Sequence, residues 1–323
     1  MQRAIILTLL EYISAMNQKQ SGDFERAQSD IIIAIEEPEL FQHPTKQRLF
    51  YRALSELAES FNKKTGIRLQ VIYATHSPLL ISLPEVERIR LVRKSYSEGA
   101  IDITVRSTTL QECADFIAPL RGFKASPHRY GVGLHIVTSD IAEAFFSKTV
   151  VLVEGVSDVA ILEAAFKIRD RDVLSDGIVI KSVGGKRNLD RPLLVFQKFG
   201  IPTMVIMDND YQLFGTQKEA DEIKWNKFIQ QICGIDVISD WPDTVGANFA
   251  SWKGTIEDYI RKESGDQIYN NALAEMSKNF SISGADCAKS PAVASSLLNR
   301  LRAQGVELKK LDLIIDAIDA LNT

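Results

Sequence analysis

A chain of 323 residues with 45% hydrophobic and 25% charged side chains is long enough for two domains with separate cores. No apolar run approaches the roughly 20 residues that span a bilayer. The longest near the N-terminus, Ala4 to Leu10, is flanked by Arg3 and Glu11 and lacks a signal-peptide cleavage pattern. Cys113, Cys233 and Cys287 are odd in number and widely spaced, which excludes a disulfide framework or a zinc site and reads as a reduced, cytoplasmic chain. The net charge of −4 is neutral on nucleic-acid binding, since a local basic surface or bound cations can offset it.

In chain order, Arg3 to Met16 places Ile5, Ile6, Leu9, Leu10 and Ile13 on a helical period, and Ser21-Gly22-Asp23 marks a loop. Asp30 to Ile35 reads as a buried strand, Lys46 to Phe61 as an amphipathic helix and Arg68 to Ala74 as a second strand. Val86 to Val92 and Ile101 to Val105 are shorter strand candidates. From about 107 to 147, Gly122, Pro127, Gly131 and Gly133 break a helical and loop-like region. From Lys148 a strand is followed by a helix (Asp158 to Arg169), a strand (Gly177 to Val183), a helix (Asn188 to Phe199) and a strand (Thr203 to Asp208). That alternation predicts βαβ units and a parallel sheet. After Glu257 the pattern is helical.

Carboxylates end two of the apolar runs. Thr149 to Val153 leads into Glu154-Gly155 and Asp158, and Thr203 to Met207 leads into Asp208-Asn209-Asp210. Continuous apolar runs suit strands covered on both faces, and open α/β sheets place their sites at the carboxyl ends of such strands. Acids converging there repel unless a cation lies among them, and oxygen ligands suit Mg²⁺ or Mn²⁺. Each feature also has a bland reading. Ser157 and Asp158 suit helix capping, Asp-Asn-Asp is turn-prone, and Gly184-Gly185-Lys186 suits an ordinary βα loop.

Glu36-Glu37-Pro38-Glu39 after the first strand, with Thr75-His76-Ser77 after the second, resembles the ABC-type ATPases of the SMC/RecF/OLD group. The resemblance implies that Glu36 helps hold Mg²⁺, Glu37 polarises the attacking water and His76 contacts the γ-phosphate, with His43-Pro44 at the D-loop. No G-x-x-x-x-G-K-[ST] loop occurs in the chain, and the serine-rich signature would precede Gln2. The expectation is the C-terminal portion of a longer protein, using ATP only at full length and unable to hydrolyse it alone.

Residues 148 to about 260 resemble a Toprim domain of the OLD (overcoming lysogenisation defect) nuclease type. The match lies in Glu154-Gly155, Asp158, Asp208-x-Asp210, Ser182-Val-Gly184-Gly185-Lys186, Glu257 and Lys289-Ser-Pro. The expected fold is α/β: a partial ABC-ATPase-like β/α domain (1–110), a helical linker (111–147), a Toprim domain with a Rossmann-like parallel sheet (148–262) and a helical C-terminal region (263–323).

The resemblance implies a metal-dependent DNA endonuclease or nickase. Two ions about 3.5–4 Å apart stabilise the attacking and leaving oxygens of a phosphodiester. Glu154 and Asp158 are expected to hold one Mg²⁺ or Mn²⁺, and Asp208, Asp210 and Glu257 a second, with the partition open and Ca²⁺ an alternative. Lys289 is expected near the scissile phosphate, and Ser182, Gly184, Gly185, Lys186 and Arg187 as phosphate or DNA contacts. The implied partner is DNA. A homo-oligomer and a helicase-like partner stay open, and no membrane association is implied. The rival readings are a regulatory or scaffold subunit with a degenerate ATPase half, and another Toprim enzyme of the primase or topoisomerase kind.

Overall fold

The computed structural model describes residues 30–65, 68–97, 99–136 and 138–322. The helix expected over Arg3 to Met16 and the loop at Ser21 to Asp23 lie outside them. The chain divides into two compact units between Ser82 and Leu83.

In the smaller unit, β1 (Ile31–Glu36) pairs in parallel with β2 (Leu69–Ala74), joined by α1 (Pro44–Thr65). Parallel neighbours need such a crossover. The expectation of a fully buried first strand is corrected: β1 alternates half-buried and exposed residues, and Ile32 and Ile72 are exposed. Ser77 Oγ donates to Gln47 Oε1 at 2.6 Å and Tyr73 Oη to Leu80 O at 2.7 Å, tying the segment after β2 to α1 and to β2 itself.

The larger unit opens with an antiparallel hairpin, β3 (Leu91–Ser97) and β4 (Ala100–Arg106). Strand structure therefore starts later than the Val86 to Val92 expectation, because Leu83–Arg88 is a 3₁₀ segment. The hairpin, assigned to the ATPase-like part on sequence, sits in the larger unit. Next come α2 (Leu110–Arg121), started by a Thr109–Glu112 capping box and closed by Gly122 at φ 67°, and α3 (Pro127–Gly133).

A four-stranded, all-parallel sheet follows in the order β6-β5-β7-β8: β5 is Thr149–Val153, β6 Ile178–Ser182, β7 Thr203–Asp208 and β8 Phe249–Trp252. Between the strands lie α4 (Val156–Lys167), α5 (Asp190–Lys198) and α6 (Glu219–Ile232). Because β6 lies on one side of β5 and β7 on the other, the strand order reverses at β5. Crevices form at the carboxyl end of such a reversal.

Successive strand residues face opposite sides. Val151, Val153, Ile178, Ile180, Met204, Ile206, Ala250 and Trp252 form one face, packed with α4 and four later helices. Those are α7 (Ile256–Ser264), α8 (Asp266–Phe280), α9 (Pro291–Ala303) and α10 (Lys309–Leu321). Their buried Leu297, Leu298, Leu301, Leu311, Ile314, Ile315 and Ile318 belong to the same core as the sheet. Arg169 pairs with Asp312 and Asp316, and Lys310 Nζ donates to Ser251 O, so α10 is also fastened by charge. Val150, Leu152, Val205, Met207 and Phe249 are buried on the alternate positions. Beyond them, Phe145 edges against Phe196 and Phe199 at 5.4 and 5.1 Å.

Candidate metal centre

Glu154 is the residue after β5, and its carboxylate bridges the carboxyl ends of two neighbouring strands. Oε1 accepts the Asp208 N–H of β7 at 2.9 Å, and Oε2 accepts the Lys186 N–H beyond β6 at 3.0 Å. The strand reversal thus brings Glu154 and Asp208 together as the sequence pattern required. Asp158 lies in the first turn of α4, where its Oδ2 accepts the Gly155 N–H at 2.9 Å. The capping role raised on sequence is therefore real, and it leaves a second carboxylate oxygen with its lone pairs.

The acids sense one another. Burial first, then the charges of Glu154, Asp158, Asp210 and Glu257, pushes Asp208 up to about 9. Glu154 rises to about 7, mainly through burial, with Lys186 opposing, and Asp158 to about 6 through burial and Glu257. Glu257, in the first turn of α7, therefore belongs to the same cluster. Among the described residues, no three Asp, Glu, His or Cys side chains already close on a point that would hold an ion. The reason is visible: Glu154 is turned onto backbone N–H groups, and Asp210 onto Lys186. The donor set still fits a hard divalent cation in kind, because it is all carboxylate and its charges help to raise Glu154, Asp158 and Asp208.

Several sequence expectations change. Lys186 is only 5% exposed and is no surface contact for DNA. Its Nζ lies 2.5 Å from Asp210 Oδ2, 3.1 Å from Asn226 Oδ1 and 3.4 Å from Glu222 Oε2, so it is an internal counter-charge. Arg187 is half-exposed but paired with Asp221 and Glu222 at 2.5 and 2.9 Å. The Gly184 N–H donates to Ser182 Oγ, the Gly185 N–H to Glu154 O, and Ser182 Oγ to Glu154 O. Those donors are engaged within the Glu154 loop. Gly185 has φ 121° and ψ 155°, a region essentially restricted to glycine. Lys289 is exposed, precedes α9 and pairs with Asp286 at 2.9 Å, not with the acids.

Two features escaped the sequence reading. Asn209, 1% exposed, holds the Asp208–Asp210 turn: its Oδ1 accepts from Tyr211 and Gly254 N–H, and its Nδ2 donates to Pro242 O. Its carbonyl accepts from Asn226 Nδ2 at 2.9 Å. Beside Asp210 stands an aromatic ledge: Tyr211 and Phe214 lie parallel at 5.5 Å, Trp241 meets both edgewise, and Lys253 Nζ sits 4.1 Å from the Tyr211 ring centre. Tyr211 and Phe214 directly follow the acid pair and were readable, whereas Trp241 and Lys253 arrive from distant segments.

In the smaller unit, Glu37 adopts φ 43° after β1, and His76 after β2 stands 4.0 Å away (Nε2 to Oε1). Parallel pairing of β1 and β2 brings the two motifs together, and Glu36 closes β1 opposite Ala74. Glu39, given no role on sequence, links them: its Oε1 accepts the His76 N–H at 2.7 Å.

Comparison with known proteins agrees with this geometry. Residues 145–210 match the family model described as overcoming lysogenization defect protein-like, TOPRIM domain, and residues 1–81 match an AAA ATPase domain. Along the chain, an ATPase-like match is thus followed by an OLD-like Toprim match. It is similar to the OLD nuclease of Thermus scotoductus, 28% identical over 221 residues, which cover 68% of this chain and 36% of that protein. It is also similar to the Old nuclease of Escherichia phage P2, 28% identical over 211 residues, 65% of this chain and 32% of that protein. The chain thus spans about a third of the length of these curated relatives. The solved C-terminal region of the Burkholderia pseudomallei OLD protein aligns at 15% identity and TM-score 0.37, over 55% of this chain and 99% of that one. That likeness is too loose to carry a residue correspondence.

Proposed function

We propose that the larger unit is the centre of a divalent-cation-dependent endonuclease that cuts or nicks the DNA backbone. The observation that carries this reading is the Glu154 carboxylate bound to the Asp208 N–H at the strand reversal, with Asp158 and Asp210 near enough to raise its pKa and Glu257 near enough to raise those of Asp158 and Asp208. The nuclease names of the relatives support it.

Glu154, Asp158, Asp208, Asp210 and Glu257 would hold Mg²⁺ or Mn²⁺, two ions where both acid groups are used. Such ions lower the pKa of water and stabilise charge on phosphoryl oxygens. The protein's own contribution is placement. Asn209 fixes the turn that presents Asp208 and Asp210, Lys186 balances the charge of Asp210, and the Gly184–Lys186 loop orients Glu154. The ledge of Tyr211, Phe214 and Trp241 with Lys253 suits a base stacked next to the cut phosphate. Lys289 stays a candidate for offsetting charge at the phosphate only if it leaves Asp286 when DNA binds. In the smaller unit Glu36, Glu37 and His76 are the ATPase-like residues. ATP binding there would need phosphate contacts beyond those in this sequence.

Nicking of supercoiled plasmid across a Mg²⁺ and Mn²⁺ titration tests the reading. Metal-dependent nicking, lost in Glu154→Ala and Asp208→Ala with the fold retained by circular dichroism, is expected. No nicking at any metal concentration would favour the scaffold reading, and full cutting by either variant would remove the assigned centre.

A further inference from the structure

A second polar site lies away from the acids, between α2, α3 and the start of α5. A cavity of about 50 Å³ is lined by Arg121, Arg129, Tyr130, Asp190 and Arg191, with Phe123 at its wall. By the same measure a single water needs about 10–15 Å³, so there is room for a group of several heavy atoms. Asp190 is 1% exposed, yet its Oδ1 has no hydrogen-bond partner, and neither has the buried Arg191 Nε. The ion pairs around it are long: Arg191 Nη1 is 3.6 Å from Asp190 Oδ1, and Arg121 Nη1 is 3.9 Å from Oδ2. Neither distance is a hydrogen bond, so acceptor and donors face a gap they do not close.

Three guanidinium groups against one carboxylate leave an excess of positive charge. Aromatic rings hold two of those guanidinium groups in place: Arg121 lies 4.6 Å from the Trp225 ring centre and Arg129 5.0 Å from that of Phe123. Gly133 makes room for the third. A Cβ there would fall 2.1 Å from Arg191 Nε. Buried polar groups left unmatched are costly, and planar guanidinium forks match phosphate oxygens.

We propose that this cavity binds a phosphate group that still carries a proton, either free phosphate or the singly protonated terminal phosphate of a nucleotide. Its oxygens accept from Arg121, Arg129 and Arg191 Nε, and its P–OH donates to Asp190 Oδ1. A phosphodiester has no ionisable proton to give, so a continuous DNA backbone does not satisfy Asp190. The site therefore stands independently of the nuclease reading.

Calorimetric titration of the whole chain with inorganic phosphate and with sulfate, at neutral pH, tests this. Phosphate should bind about tenfold more tightly than sulfate, which has no proton to donate to the buried acceptor. Arg129→Ala, at an exposed position, should weaken phosphate by about tenfold or more. Gly133→Ala, which removes no charge but pushes Arg191 aside, should weaken it too. Asp190→Asn should erase the preference over sulfate. Competition by a nucleoside monophosphate identifies a nucleotide as the source, and no competition identifies free phosphate. Absence of phosphate binding, or unchanged binding in Arg129→Ala, overturns the site. Equal binding of sulfate overturns the role of Asp190.

Discussion

Lys186 and Asp208 carry opposite electrostatic burdens at one strand edge. Lys186 neutralises Asp210 and, with Arg187, Glu222 from a buried position, so removing its charge strands Asp210 and leaves Glu222 to Arg187 alone. Lys186→Met is expected to cost about 3 kcal/mol, read from urea unfolding monitored by Trp fluorescence. Asp208 is the reverse case. Its pKa of about 9 means that folding without metal disfavours its ionised form. Asp208→Asn should therefore make the metal-free protein more stable at pH 7 while abolishing nicking, and a less stable variant would show that the carboxylate is needed for the fold itself. The sequence supplied both residues, but Lys186 was expected as a DNA contact and is buried against Asp210 instead. A lysine after two glycines reads as a surface cation, and nothing local reveals that Glu222 and Asn226, more than thirty residues on, bury it.

At the scale of elements, the loop from Gly184 to Asn188 is the piece most exposed to substitution. Gly185→Ala forces a side chain into a conformation costing about 1–3 kcal/mol and should displace the Lys186 N–H from Glu154. Reduced nicking with a retained circular dichroism spectrum is the expected result, and unchanged nicking would mean that the loop does not orient Glu154. The strands of the parallel sheet were legible because Thr149 to Val153 and Thr203 to Met207 are short apolar runs ending in turn residues. Helix α6 and strand β8 were not. The buried face of α6 carries the polar Glu222, Asn226 and Gln230 beside its apolar residues, and β8 has only four residues, too few to show a period. The full burial expected of β1 failed because an apolar run states what could be covered, not what covers it.

For the whole molecule, the helical tail is part of the sheet's core. Removing α10 would take Leu311, Ile314, Ile315 and Ile318 out of the core and uncover the sheet and helix side chains packed with them, so a chain ending before Lys309 should lose cooperative unfolding of the larger unit, as read by thermal denaturation. The acid cluster also gives the larger unit a pH signature. Glu154, Asp158 and Asp208 have folded-state pKa values of about 7, 6 and 9, all above their unfolded values, so the folded state binds more protons. With respect to these groups, metal-free stability should be highest below about pH 4, where folded and unfolded states are both protonated, and fall as pH rises from there through 9. Mn²⁺ should raise the melting temperature more at pH 8.5 than at pH 6, because ligands must be deprotonated to bind it. The convergence of acids was foreseeable from strand order. Their present engagement with backbone N–H groups and Lys186 was not, because it depends on which donors the loops after β6 and β7 present.

The most direct measurement is anomalous scattering from crystals grown with Mn²⁺. The account predicts a peak coordinated by Glu154 and Asp208, with Asp158, Asp210 or Glu257 completing the ligands. A crystal in which Mn²⁺ binds elsewhere, or nowhere, while Glu154 keeps both backbone N–H groups, would contradict it.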